Sequence, residues 1–248
     1  MFEFFNLFGG NLSSITPGLL LAFGFVTGLQ HAVEADHVAA VATLVSKNRK
    51  LSKASLLGAL WGFGHTITLF IAGLVVLMLA ISIPANLSLF LEFGVGIMLV
   101  VLGLSVIINL KMGRFIDWFG VFGHMHPHAH GNKIHVHRHS HDSEHDHSHK
   151  SIIVGMIHGL AGSGALMLVV LSTVDSIVNG LAYITLFGIG SIVGMLAVST
   201  IIGLPFVLTA KKFSKLNKTI RVAAAIASMG LGLSIMYEIG FVEQLFIT

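Results

Sequence analysis

Cysteine is absent from the 248-residue chain, and charged residues make up only 10% of it. Without cysteine there can be no disulfide bonds, no thiolate metal ligands and no redox relay through paired thiols. Soluble domains carry about 25% charged residues. A chain with 54% hydrophobic residues and so little charge could not cover its surface against water, so the composition indicates a membrane protein.

Two sequence signals are also missing. Residues 1–16 contain no lysine or arginine, so they lack the basic start of a secretory signal peptide, and no cleaved leader is expected. The chain has neither a G-x4-G-K-[ST] phosphate-binding motif nor an H-E-x-x-H zinc motif. ATP-driven transport by this chain and zinc proteolysis are therefore not expected.

Six apolar runs are long enough to cross the hydrocarbon core of a membrane, which takes roughly 20 helical residues. Pro17 opens the first run, Pro84 follows the second, and Pro205 lies near the end of the fifth. Several runs exceed the minimum length, which predicts tilted or kinked helices. The runs cover residues 17–45, 54–81, 87–110, 151–174, 179–209 and 219–247.

All fourteen lysine and arginine residues lie in or beside the loops that follow the first, third and fifth runs. These three loops are on one side if every run crosses the membrane. Basic loops face the cytoplasm in membrane proteins. The sequence therefore predicts a multi-pass protein of the cytoplasmic membrane, with both termini outside and the loop between the third and fourth runs in the cytoplasm.

The six runs divide into two sets of three, and short similarities recur at matching places in the two sets. Residues 28–31 (GLQH) resemble residues 155–158 (GMIH), and residues 62–65 (GFGH) resemble residues 188–191 (GIGS). Such matches also arise by coincidence in glycine-rich sequence. An odd number of spans per set makes a repeat inverted, as in many transporters. The predicted fold is an all-α integral membrane protein of six transmembrane helices in two inverted three-helix repeats: residues 1–112, a histidine-rich cytoplasmic loop over 113–150, and residues 151–248.

Ionisable side chains are concentrated in the first run, although each costs about 2.5–3.5 kcal/mol at the centre of a membrane helix. Two imidazoles and two carboxylates lie between His31 and His37. Counting about 1.5 Å per residue, His65, His158 and Ser191 reach a similar depth from other runs. Four runs thus bring polar groups to one level of the bilayer.

The types of these side chains indicate a metal ion. Imidazole suits nickel, cobalt, zinc and copper, and carboxylate adds charge neutralisation, whereas an all-acidic set would suit calcium or magnesium. The alternative is structural, because a single buried histidine is usually a hydrogen-bonded packing residue. The candidate metal ligands are His31, Glu34, Asp36, His37, His65 and His158.

The spacing in the first run raises a geometric difficulty. On an ideal helix, at 100° per residue, His31 and His37 point about 120° apart and His31 and Asp36 about 140° apart. An unbroken helix could not easily aim all three at one ion. Either the helix is locally unwound, or some of the groups support others, or they serve successive positions along a path.

A histidine-rich insert separates the two sets of runs. It shows no hydrophobic periodicity, which predicts a disordered loop that buffers transition ions through exchangeable imidazole pairs, although a plain polar spacer is the alternative. Asp142, Glu144 and Asp146 are interleaved with the histidines. The expected buffering residues are His124, His126, His128, His130, His135, His137, His139, His141, His145, His147 and His149.

Two motifs resemble a known family. Residues 31–37 have the form of the H-x4-D-H signature of the nickel/cobalt transporter family, and residues 64–66 are similar to its second-helix Gly-His-Ser/Thr element. With six spans and a loop between halves, the chain resembles the urease-accessory (UreH/NicO-type) branch. The resemblance implies transport of nickel or cobalt, and it implies that His31, Asp36, His37 and His65 are required for it.

The expected function is import of Ni2+ or Co2+ by alternating access, with protons released as imidazoles and carboxylates bind the ion. The ion is the cargo, and no resident cofactor is expected. The expected partners are the ion and the lipid bilayer, with cytoplasmic nickel chaperones as candidates and no nucleic acid. The chain is not expected to be an enzyme. The alternatives are nickel or cobalt efflux, export of another small solute, and an intramembrane hydrolase built on Ser163.

Overall fold

The chain folds as a bundle of apolar helices. The computed structural model describes residues 17–79, 84–112, 127–130, 133–136, 146–161, 176–243 and 245–246. The elements are α1 (Pro17–His31), α2 (Ala35–Val45), α3 (Leu51–Leu79), α4 (Ala85–Met112), β1 (Pro127–His130), β2 (Lys133–Val136), α5 (Asp146–His158), α6 (Ile177–Lys212) and α7 (Ser214–Tyr237), which continues into a π-helical turn (Glu238–Val242).

Four helices in the described part of the chain, α3, α4, α6 and α7, are long and apolar enough to cross a membrane. Their outward faces carry large exposed apolar side chains, among them Phe63, Ile71, Ile201 and Leu208. A soluble protein rarely exposes so much apolar surface. The fold thus fits a multi-pass membrane protein, as the composition predicts, with four of the six predicted runs formed as single long helices.

The first predicted run is divided into two shorter helices. Helix α1 ends at His31, and α2 begins at Ala35. Between them, tight-turn hydrogen bonds replace the helical pattern, from Val33 N to Gln30 O (3.1 Å) and from Glu34 N to His31 O (3.1 Å). The backbone of Glu34 is extended, with φ −61° and ψ 150°. Local unwinding, one of the three possibilities left open by the spacing, is therefore present.

The fourth predicted run differs from its expected bounds of 151–174. Helix α5 starts earlier, at Asp146, and ends at His158. A turn follows, in which Ala161 N donates to His158 O at 3.1 Å. Residues 162–175, including Ser163, lie outside the described residues. Helices α1 and α5 are thus alike in ending at a histidine that is followed by a turn.

The helices pack in a pattern that treats the two halves alike. Helices α3 and α6 contact each other at the centre, α1 packs on α6, and α5 packs on α3. Helix α4 pairs with α7, and α2 contacts α6, α7 and α4. If α1, α3 and α4 are exchanged for α5, α6 and α7, the central, flanking and outer pairings are reproduced.

Glycine allows the closest of these contacts. At the four tightest of these positions a side chain would collide with a backbone carbonyl of the facing helix, so only glycine fits without displacing that helix. The two contacts of α1 with α6 have counterparts between α5 and α3. They join Gly28 to Phe187, Gly190 to Phe25, Gly155 to Trp61 and Gly64 to Ile152.

The expectation of a disordered insert is wrong for its described residues, which lie in strands β1 and β2 and, from Asp146, in helix α5. Strands β1 and β2 form an antiparallel pair whose register places His128 opposite His135 and His130 opposite Lys133. Histidine at every second position, with Gly131-Asn132 between the strands, is a period-2 pattern with a hairpin turn. That alternation is a strand signal, although histidine replaces the usual apolar residue.

Candidate metal site

Four histidines from four helices meet in the interior of the bundle. His31 ends α1, His37 lies in the first turn of α2, His65 is fourteen residues from either end of α3, and His158 ends α5. Each side chain is 0–1% exposed. The chain has fifteen histidines, of which eleven belong to the insert, so every other histidine belongs to this cluster.

His37 is the central ring of the cluster. Its centroid lies 4.1 Å from that of His31 and 4.2 Å from that of His158. His65 is close to both neighbours of the first half, at 4.9 Å from His31 and 5.3 Å from His37. The rings of His65 and His158 are farther apart, at 5.9 Å.

Asp36 links the two halves of the chain. Its Oδ1 lies 2.9 Å from His37 Nδ1, and its Oδ2 lies 3.0 Å from His158 Nε2. The Oδ1 atom also accepts the backbone N–H of His37 at 2.8 Å. An ionised carboxylate only accepts hydrogen bonds, so when Asp36 is ionised both rings donate to it. The other nitrogen of each ring then carries a lone pair.

Glu34 plays the corresponding role at the edge of the cluster. Its Oε2 lies 3.0 Å from His31 Nδ1, and its side chain is 44% exposed, compared with 27% for Asp36. The other nitrogen of His31, Nε2, lies 3.0 Å from His65 Nε2, and one of the two rings donates to the other. Carboxylates that hold one nitrogen of a histidine are typical partners of metal-binding imidazoles.

Three buried histidine nitrogens, His37 Nε2, His65 Nδ1 and His158 Nδ1, have no hydrogen-bond partner among the described residues, and neither has the indole nitrogen of Trp61. Buried polar atoms nearly always have a partner, so three in one cluster require an explanation. Neutral imidazole nitrogens with free lone pairs are metal ligands. The potential ligand atoms form two groups, each within 4.8 Å: His31, His37 and His65, and Asp36, His37 and His158.

Two aromatic side chains that the sequence analysis missed form the walls of the cluster. The Trp61 ring lies 5.2 Å from His37 and 5.4 Å from His158, and the Phe187 ring lies 5.4 Å from His31. Trp61 precedes His65 by four residues on α3, so both occupy one helix face. That spacing was the available signal for Trp61.

The helix ends add to the electrostatics. Helices α1 and α5 both terminate at the cluster, so their C-terminal carbonyl groups lie beside it. The C-terminus of a helix carries a partial negative charge that favours cations. Two such ends, together with Asp36 and Glu34, give the cluster an electrostatic environment that favours a positive ion.

The other predicted residues lie elsewhere. Ser191 is buried and donates to the Gly28 carbonyl at 3.3 Å, which is a helix-packing contact, and Gln30 is exposed. Of the insert histidines, His128 and His130 lie in β1 and His135 in β2, whereas His147 and His149 lie in α5. Those outside the described residues are His124, His126, His137, His139, His141 and His145.

Comparisons with known proteins bear on the whole chain. A family profile described as cytochrome c biogenesis protein transmembrane region matches residues 19–234. The urease accessory protein UreH of Bacillus sp. (strain TB-90) is 40% identical over 227 residues, which cover 92% of this chain and 94% of that protein. No solved structure matches.

More distant similarity extends to plants. The chloroplast proteins FOR GROWTH AND FERTILITY 2 and FOR GROWTH AND FERTILITY 1 of Arabidopsis thaliana are each 24% identical to this chain over 217 residues. Those residues are 86% of this chain but only 55% and 57% of the two plant proteins. The match therefore covers most of this chain and a little over half of each plant protein.

Proposed function

This chain belongs to the family of the urease accessory protein UreH, and from that premise we propose that it is a secondary transporter of Ni2+ or Co2+ in the cytoplasmic membrane. The H-x4-D-H motif at residues 31–37 resembles that of nickel/cobalt transporters, which supports the choice of ion. The wider family profile is described as a cytochrome c biogenesis region. Because the chain contains no cysteine, its own residues cannot perform thiol–disulfide exchange.

One observation carries the proposal: four buried imidazoles and Asp36 converge between the halves of a membrane-protein bundle. Burying these groups in lipid is expensive, and three ring nitrogens have no partner in the described part of the chain. A divalent transition ion would use those lone pairs and would offset the charge of Asp36. A purely structural hydrogen-bond network would be expected to leave fewer buried nitrogens unpartnered.

Two inverted three-helix repeats are the architecture proposed for the transporter. The ring of His31 packs on Phe187 at 5.4 Å, and the ring of His158 packs on Trp61 at the same distance. The glycine contacts of α1 with α6 recur between α5 and α3. These equivalences support the repeat, with the cluster near its axis and the ion bound at the middle of the membrane.

The ion path follows from the proposed topology. With the basic loops in the cytoplasm, α1 enters the membrane from outside and α5 enters from the cytoplasm. Both end at the cluster, which could open alternately to each side. Binding to neutral imidazoles and ionised carboxylates releases protons, which offers a route to proton coupling. The insert histidines would hold arriving ions on the cytoplasmic side, so the proposed direction is import.

Uptake of radiolabelled nickel into proteoliposomes tests the proposal. We expect uptake by the wild-type chain and almost none by His37→Ala, with His147→Ala as a matched control outside the cluster. When a pH gradient of each sign is then imposed across the membrane, nickel uptake should be faster with one sign than with the other. Equal nickel movement in wild-type and empty liposomes would overturn the proposal.

Efflux is the second candidate, because the same insert could collect ions for expulsion. An exporter would show the opposite dependence of nickel uptake on the sign of the pH gradient. Nickel loaded into liposomes would also leave faster when the chain is present. Transport of a small organic solute unaffected by His37→Ala would instead indicate a different class of exporter.

A further inference from the structure

The cluster is divided into two parts that overlap at one residue. One group consists of His31, His37 and His65, and the other of Asp36, His37 and His158. His37, the central ring, is their common member. His65 and His158, which belong to different groups, have ring centroids 5.9 Å apart.

The close contacts divide in the same way. In the first group, His31 Nε2 and His65 Nε2 face each other at 3.0 Å. In the second, Asp36 lies between His37 and His158, with its two oxygens at 2.9 and 3.0 Å from their ring nitrogens.

Each group also lies at the end of a different helix. The first includes the C-terminal residue of α1, and the second includes the C-terminal residue of α5. Trp61 contacts His158 and the shared His37, whereas Phe187 contacts His31 of the first group. The two groups therefore adjoin different helix ends and have one ligand in common.

We infer that the cluster offers one ion two adjoining positions, and that the ion moves between them while His37 remains a ligand. This inference rests on the proposed transport function and deepens it. The ion leaves His31 and His65 as it gains Asp36 and His158, with no redox change. Two divalent ions so close in a buried site would repel strongly, so one position is occupied at a time.

The two positions have different ligand chemistry. The first offers three neutral imidazoles, and the second offers two imidazoles and a carboxylate. Keeping one ligand throughout means that the ion is never fully released while it changes partners. The carboxylate adds charge to the position on the α5 side, which is the cytoplasmic side in the proposed topology.

X-ray absorption at the nickel edge can separate the two positions, because it distinguishes imidazole from oxygen ligands. The background is the full chain with the eleven insert histidines changed to serine, which leaves only the four cluster histidines. His65→Gln removes the first position, His158→Gln removes the second, and His37→Gln removes both. Circular dichroism and gel filtration in detergent, both without metal, report correct folding of each variant.

With His65→Gln we expect bound nickel with two imidazoles and a carboxylate, and with His158→Gln we expect three imidazoles. Each should bind nickel within about tenfold of the parent chain, yet lower uptake at least about 100-fold. His37→Gln should lose high-affinity binding. Four imidazoles around one ion in the parent chain, or identical spectra for the two variants, would overturn the inference.

The outcomes for transport and for the two positions are separable. If the parent chain moves no nickel but the two variants give the different spectra, the transport function fails and the two positions stand. If the parent chain transports but the spectra coincide, transport stands and a single position replaces the pair. Glutamine is a polar residue of similar size to histidine, and misfolding would show in circular dichroism and gel filtration without metal.

Discussion

Two regions of this chain are built around histidine, and they differ in almost every physical respect. The insert holds eleven histidines in a polar segment, whereas the interior holds four, all fully buried. In the cluster, rings of His31, His37 and His158 lie at 2.9–3.0 Å from a carboxylate oxygen. In the insert, the register of β1 and β2 pairs one histidine with another.

The comparison teaches that the number of histidines says little about the kind of metal chemistry. A polar segment holds imidazoles at little cost, and a density of them raises the local ion concentration. A buried imidazole is costly, and its orientation must be fixed by partners. We therefore expect the four buried histidines to conduct a specific ion, and the eleven insert histidines to add capacity for holding ions.

The largest difference between the cluster and the insert is expected for His37→Ala. Because His37 belongs to both ligand groups, we expect nickel uptake to fall at least about 100-fold, beyond the usual cost of losing a supporting residue. Radiolabelled nickel uptake into proteoliposomes measures it, with His147→Ala as the control. Uptake by His37→Ala above half of the wild-type rate would contradict the central role of this ring.

Gly155→Val tests the helix packing that holds the cluster. The insert has no equivalent packing among its described residues. A side chain there meets the Trp61 carbonyl, so α5 must shift and carry His158 away from Asp36. We expect uptake to fall about 10- to 100-fold and the melting temperature to drop, because overpacking typically costs 1–3 kcal/mol. Gly94→Ala is the control, since nothing lies within 4 Å of a side chain there. An unchanged Gly155→Val protein would show that α5 has room to adjust.

Substitution of Trp61 distinguishes the role of the metal ligands from that of the side chains packed around them. Trp61→Ala removes the ring beside His37 and His158, and we expect a fall in uptake of about tenfold, the lower range for supporting groups. Trp61→Phe retains an aromatic wall and should stay much closer to the wild-type rate. If the two variants are equally impaired, the indole N–H rather than the ring face is what matters.

The smallest effect is expected from deleting residues 124–149. The deleted histidines are exchangeable ligands that raise the ion concentration near the transport path but do not line that path. Uptake capacity should therefore fall by less than about tenfold. Initial uptake rates at several nickel concentrations would show the loss mainly when nickel is scarce. Complete loss of uptake by a correctly inserted deletion variant would make the insert part of the path.

The cluster could be predicted from the sequence because lipid penalises its side chains so heavily. His31, His37 and His65 stand in apolar runs where an ionisable group needs a reason, and depth counting brings them to one level. All three, with Asp36 and His158, do meet. The resemblance of the chain to the UreH-type branch is likewise confirmed by the UreH relative.

The break between α1 and α2 could not be decided from the sequence. Ala32, Val33 and Ala35 carry no helix-breaking signal, so local propensity favours neither outcome. Tertiary contacts decide it: Ala32 is fully buried, with its Cβ against Gly194 of α6, and His31 and Glu34 hold each other. The hairpin was missed for a different reason, since its period-2 pattern is made of histidine rather than apolar residues.

The position of His65, fourteen residues from either end of α3, has a consequence for energetics across the bilayer. A doubly charged ion held there has crossed about half of the membrane voltage, which is equivalent to moving one elementary charge across all of it. That work is about 2.3 kcal/mol for each 100 mV, or roughly a 50-fold change in occupancy. A cell interior that is electrically negative would thus load this centre from outside, before any proton gradient contributes.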